Sequence, residues 1–136
     1  MEDTIRITVP GKPEYVGTVR LAVSHIANHA GFDIEAVEDI KVAVSEACTN
    51  AVCHGDTDRG CPYDVICALK EDRLVITVED NAGGFNVDEY RMPGSDEIKE
   101  SGFGIFVINA MMDEVDLDSE VGKGTSITMV KYRQAG

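Results

Sequence analysis

Apolar and polar residues alternate from Thr4 to Val9, with Ile5, Ile7 and Val9 on one face, and Pro10-Gly11-Lys12-Pro13 ends the run. A short strand followed by a turn is expected there. The period then becomes helical: Val16, Val19, Val23, Ile26, Ala27 and Ala30 share one side, so Tyr15 to Ala30 is predicted as a helix with Gly31 in the capping position. Asp33 is placed to cap a second helix, Ile34 to about His54, whose inner face is Val37, Ile40, Val44, Ala47, Cys48 and Ala51. After a polar loop, Asp56 to Pro62, alternation returns in Tyr63 to Leu69 and Leu74 to Val78, a hairpin turned at Glu71-Asp72-Arg73. Asn81 to Gly104 is rich in Gly, Asn, Pro and Ser, and so long a loop inside a compact domain is more often a functional lid than a linker. Phe103 to Met112 resumes helical spacing. Val115 to Leu117 and Ser126 to Tyr132 are the last strands, joined by Val121-Gly122-Lys123-Gly124. With no repeat and no boundary in this order, residues 1–136 are read as one domain.

Composition narrows the class. A chain of 136 residues can bury roughly two-thirds of the surface of its unfolded form without disulfides or a structural metal. No apolar run approaches the roughly 18 to 20 residues of a bilayer span, and the acidic start Met1-Glu2-Asp3-Thr4 fits no signal or transit peptide, so a cytoplasmic protein without a membrane partner is expected. Cys48, Cys53, Cys61 and Cys67 form no Cys-x-x-Cys pair and are read as reduced thiols. A net charge of −13 argues against direct nucleic-acid binding, which relies on clustered Lys and Arg, and suits a basic protein partner instead.

Four polar constellations stand out. On the second helix Glu46, Asn50 and His54 are spaced by four and can line one stripe. A carboxylate there can take a proton from an attacking hydroxyl, and an amide oxygen can serve Mg²⁺, which prefers few protein ligands beside phosphate and water. The bland alternative is an exposed helix face. Asp80 stands at a strand end before Asn81-Ala82-Gly83-Gly84-Phe85, where it could accept a hydrogen bond from the amine of adenine or merely form a turn. Ser101-Gly102-Phe103-Gly104 opens the next helix, whose free amides could meet phosphate. It matches neither the P-loop nor the Rossmann fingerprint. Gly122-Lys123-Gly124-Thr125 alone reads as a hairpin turn.

Taken in order, Glu46-x-x-x-Asn50, Asp80-x-x-x-Gly84, Gly102-x-Gly104 and Gly122-x-Gly124-Thr125 resemble the N, G1, G2 and G3 boxes of the GHKL ATPase superfamily. Val9-Pro10, Pro13 to Gly17, Ala43 to Val52 and Met112 to Val115 narrow the likeness to the bacterial serine kinases that double as anti-sigma factors, especially the anti-sigma-B type, over nearly the whole chain. The resemblance implies a Bergerat-type α/β (α+β) two-layer sandwich, with helices covering one face of a mixed, mostly antiparallel sheet. It implies ATP and Mg²⁺ as cofactors, Glu46 as catalytic base, Asn50 as Mg²⁺ ligand and Asp80 as adenine contact. His54, Gly84, Phe85, Ser101, Gly102, Phe103, Gly104 and Thr125 would complete the nucleotide site. A homodimer is implied, with a sigma factor and a serine-bearing anti-anti-sigma protein as partners. Two positions depart from the pattern: Ala82 replaces the usual first glycine of G1, and Glu100 stands where sporulation-type relatives carry Arg, leaving Lys99 or Arg91 to reach the terminal phosphate.

The expected function is therefore an anti-sigma factor and ATP-dependent serine-protein kinase. The alternative is an ATP-binding anti-sigma module with little or no phosphotransfer. A sensor histidine kinase fits less well, because 136 residues leave no room for its phosphoacceptor hairpin, and His25 and His29 read as surface or packing residues of the first helix.

Overall fold

The first two helices owe their ends to specific side chains. Helix α1, Val16–His29, follows a 3-10 turn at Pro13–Tyr15 and stops at Gly31, whose φ of 94° lies in the left-handed region. There Gly31 N–H donates to Asn28 O at 3.1 Å and Phe32 N–H to Ala27 O at 3.2 Å. This pair of bonds satisfies the last carbonyls and folds Phe32 back into the core beside Ala27. Helix α2, Ile34–His54, starts where the Asp33 carboxylate accepts the Ala36 N–H at 2.8 Å, as its position predicts.

The computed structural model describes residues 2–54, 62–80, 100–120 and 124–133. In these, strands β1 (Asp3–Val9), β2 (Tyr63–Leu69), β3 (Arg73–Asp80), β4 (Glu114–Glu120) and β5 (Gly124–Tyr132) form one sheet in the order β1-β2-β3-β5-β4, and helix α3 (Glu100–Met111) joins α1 and α2. Every neighbouring pair is antiparallel, so the sheet is not mixed as expected. Strands β3 and β4, separated in sequence by α3, do run parallel, but β5 inserts between them and opposes both. Two elements are longer than their apolar spacing indicates. Helix α3 begins at Glu100 within the expected loop, and β4 runs from Glu114 to Glu120, because backbone pairing with β5 needs no apolar side chain.

Alternation along the strands divides the sheet into two faces. Val65, Cys67, Leu74, Ile76, Val78, Ile127 and Met129 are buried on one, beneath Ile40, Ala43, Val44, Ala47 and Cys48 of α2. Val19, Val23 and Ile26 of α1 and Ile108 of α3 complete the core. Each large aliphatic side chain so buried contributes about 1.5–3 kcal/mol. The opposite face is mixed, with half-buried Ile66, Val75 and Val130 beside polar residues. There Thr8 donates to Asp64 at 2.6 Å, with the Arg6 guanidinium on the same carboxylate at 3.1 Å. These contacts, the Thr8 hydroxyl foremost, hold the Asp64 carboxyl below its ordinary range.

Cys48 and Cys67 are buried free thiols, and removal from water pushes their pKa values up to about 12 and about 11. The side chains of Cys53 and Cys61 lie outside the described residues. Two outcomes are expected. Gly31→Ala puts a Cβ on a left-handed residue and should lower unfolding free energy by about 1–2 kcal/mol, measured by urea denaturation. An unfolded thiol ionises near its ordinary pKa of 9.0 while folded Cys48 keeps its proton until about 12, so the folded state binds more protons in that window. Stability should therefore fall as pH rises above 9, and Cys48→Ala should flatten the decline in the urea midpoint.

Candidate functional site

Helix α2 has an apolar face on the sheet and a polar seam at its flank. Glu46 and Asn50, one turn apart, lie on that seam, and α3 packs against the same helix. Their neighbour on α3 is Gly104, which is buried. A Cβ added there would stand 3.1 Å from Glu46 Oε2 and 3.4 Å from both Asn50 Oδ1 and Nδ2. Glycine is thus favoured by close approach of main chain to two polar side chains, with no positive φ involved: even a methyl group would press on the Glu46 carboxylate.

Asn50 is only 4% exposed, and its Nδ2 finds no hydrogen-bond partner among the described residues. An unsatisfied buried amide of this kind costs about 1–3 kcal/mol. Such a group, aimed at a glycine cradle beside a carboxylate, has the character of a ligand-directed residue. Glu46 remains half-buried and so keeps access to solvent or substrate.

A second polar group sits on the helix-covered face of the sheet. Asp80 at the end of β3 pairs directly with Thr125 near the start of β5, and both are 6% exposed where neighbouring inward positions are apolar. Tyr63 of β2 flanks Asp80 on the other side. Its buried hydroxyl faces the Cys48 thiol without reaching good hydrogen-bond geometry, and burial, which disfavours the phenolate, pushes the pKa of that hydroxyl well above its ordinary range. This contact sets Cys48 of α2 over Tyr63, one end of the row Tyr63–Asp80–Thr125. Gly124, the first residue of β5, has a φ of 94° and lets the strand enter the sheet beside this row.

The structure therefore brings together Glu46, Asn50 and Gly104, and pairs Asp80 with Thr125. Ser101, Gly102 and Phe103 are placed as backbone in the first turn of α3, and His54 as the last residue of α2. Their side chains lie outside the described residues, as do Gly84 and Phe85 entirely. Ala82, Lys99 and Arg91 fall there too. Two functional candidates escaped the sequence reading: Tyr63, which looked like one apolar position of a strand, and the Lys131 contact described below. Neither belongs to a local motif, so only strand pairing and helix packing reveal them.

Residues 9–131 match the histidine kinase-like ATPase domain family. Among relatives, the chain is 42% identical to the serine-protein kinase RsbW of Halalkalibacterium halodurans, over 97% of this chain and 85% of that protein. It is 36% identical to the serine-protein kinase RsbW of Bacillus subtilis, over 96% and 86% respectively. The fold is similar to a solved structure of RsbU and RsbW domains from Mycobacterium tuberculosis, with a TM-score of 0.73 at 23% identity, covering 98% of this chain and 33% of that one. It is also similar to a structure of the SiaB–SiaC complex from Pseudomonas aeruginosa, with a TM-score of 0.67 at 10% identity over 93% and 88%. The match over nearly the whole length, together with the Glu46–Asn50–Gly104 seam, shows that this chain belongs to the histidine kinase-like ATPase domain family and, within it, to the RsbW-type serine-protein kinases.

Proposed function

We propose that this protein, acting as a single domain, transfers the γ-phosphate of ATP to a serine of a protein partner and also holds a sigma factor. The observation that carries the reading is the contact of Gly104 with both Glu46 and Asn50, which joins a proton acceptor and an amide oxygen under the start of a helix.

Each residue has a chemical role suited to its place. The serine hydroxyl attacks the γ-phosphorus, the bond from that phosphorus to the β,γ-bridging oxygen breaks, ADP leaves, and the hydroxyl proton passes to the Glu46 carboxylate. Asp80 is acceptor-only when ionised, so it can receive a hydrogen bond from the exocyclic amine of adenine, a selectivity guanine's ring carbonyl cannot satisfy. Thr125, paired with it, borders the same end of the ligand. The amides that open α3 can cap phosphate oxygens. Asn50 supplies a hard oxygen of the type Mg²⁺ accepts, and its amide, without a partner among the described residues, fits a role that a ligand completes. Mg²⁺, when bound, would neutralise charge on the phosphates.

Among the described residues no helix is long and apolar enough to cross a membrane. A cytoplasmic homodimer is part of the reading, as are an anti-anti-sigma phosphoacceptor and a sigma factor, all by resemblance to the anti-sigma serine kinases. The strong acidity, −13 overall, supports partners with basic contact surfaces.

Labelled ATP, Mg²⁺ and the candidate serine-bearing partner test the proposal directly. Wild type should transfer label to serine, and Glu46→Gln should lower the rate about 10²–10⁴-fold while ATP still binds. Transfer at the wild-type rate by Glu46→Gln would remove Glu46 from the role of base. Gly104→Val, which forces side-chain atoms onto Glu46 and Asn50, should weaken ATP binding at least about tenfold in titration calorimetry.

A further inference from the structure

Helix α3 is held to α2 at two ends. One is Gly104 over Glu46 and Asn50; the other is made by a residue of neither helix. Lys131 of β5 donates from Nζ to the carbonyl of Met111, the last residue of α3, at 2.7 Å. The same ammonium reaches Asp39 Oδ2 of α2 at 3.4 Å. Its side chain is 15% exposed and that of Asp39 33% exposed, so the pair is screened less than a surface ion pair.

The placement is specific. Asp39, Ala43, Glu46 and Asn50 recur at helical spacing along one stripe of α2, and Gly104, Ile108 and Met111 do so along α3. The two helices thus run in opposite senses, with Gly104 near the C-terminal half of α2 and Met111 near Asp39. Backbone bonds pin the chain after α3 to β5, through Asp113 N–H to Val130 O at 2.9 Å and Tyr132 N–H to the Asp113 carboxylate at 2.7 Å. Those bonds fix α3 on the sheet; beyond the apolar packing of the two helices, Lys131 adds a polar tie from α3 to α2. The last turn of α3 carries no basic residue of its own, so this ammonium is also the cation at the negative end of the helix.

We propose that Lys131 is a positioning residue of the nucleotide site: by joining Met111 O to Asp39 it sets how α3 lies along α2, and so holds Gly104 and the amides before it over Glu46 and Asn50. The proposal rests on the nucleotide-binding reading above.

The test is ATP affinity by titration calorimetry with Mg²⁺ present, beside the thermal midpoint of each variant. Lys131→Met should raise the Kd for ATP about tenfold. Asp39→Asn, which leaves the bond to Met111 O in place, should raise it about threefold, and Lys131→Arg should restore near-wild-type affinity. The double variant Lys131→Met with Asp39→Asn should bind no more weakly than Lys131→Met alone, since both act through one contact. Arg6→Ala removes an ion pair from the opposite face of the sheet and should leave Kd unchanged, whatever it does to the midpoint. Wild-type affinity in Lys131→Met overturns the proposal, as does an equal loss in Arg6→Ala. If Lys131→Met fails to fold, Asp39→Asn decides, and wild-type affinity there overturns it as well. Wild-type protein that binds no ATP overturns both this proposal and the reading on which it rests.

Discussion

The close approach of α3 to α2 at Gly104 is the constraint on which the rest of the site depends. Main chain, without a Cβ, lies against the Glu46 carboxylate and the Asn50 amide, and a side chain at that position would crowd the carboxylate first. Two helices can meet so closely only if each presents a stripe of the right kind. On α2 that stripe carries Glu46 and Asn50 and runs beside an apolar face, so a single helix serves both the core and the candidate site. Its Asp33 cap and the Gly31 turn before it fix where that helix starts, and hence where Glu46 falls along it.

The sheet supports this seam from below. Inward positions of β2, β3 and β5 are apolar along most of their length and become polar in one row, at Asp80 and Thr125. Removing those groups, and Asn50 of α2, from water costs desolvation, whereas the Ile, Val, Leu and Met side chains deeper in the core stabilise the fold. The inward face of the sheet thus gathers its buried polar side chains at one end, where β3 closes and β5 begins. Lys131 belongs to the same plan. A cation from the last strand is placed where one helix ends and another passes, far from the glycine contact yet on the same helix pair.

Much of this is legible in the chain alone. Alternation and helical spacing identified every described strand and all three described helices, and Asp33 and Gly31 marked helix ends through capping chemistry that is local. The ordered polar motifs pointed to Glu46, Asn50, Asp80, Gly104 and Thr125 because their spacing within each element is a property of that element. Ends that rest on backbone pairing were less legible: β4 extends through acidic residues, and α3 starts before its apolar pattern does.

What tertiary structure decided is which elements face one another. The insertion of β5 between β3 and β4 made the sheet antiparallel throughout and set Thr125 opposite Asp80, a pairing across 45 positions of chain that no local period encodes. Glu46 and Asn50 were candidates in the sequence, but only packing set Gly104 upon them and left Asn50 Nδ2 buried without a partner among the described residues. Asp39 and Lys131, 92 positions apart, carried no motif at all. Local periodicity follows from the geometry of one helix or strand, whereas contacts between elements follow from how their faces bury together. The sequence by itself therefore determined the parts of the site, and the fold decided their juxtaposition.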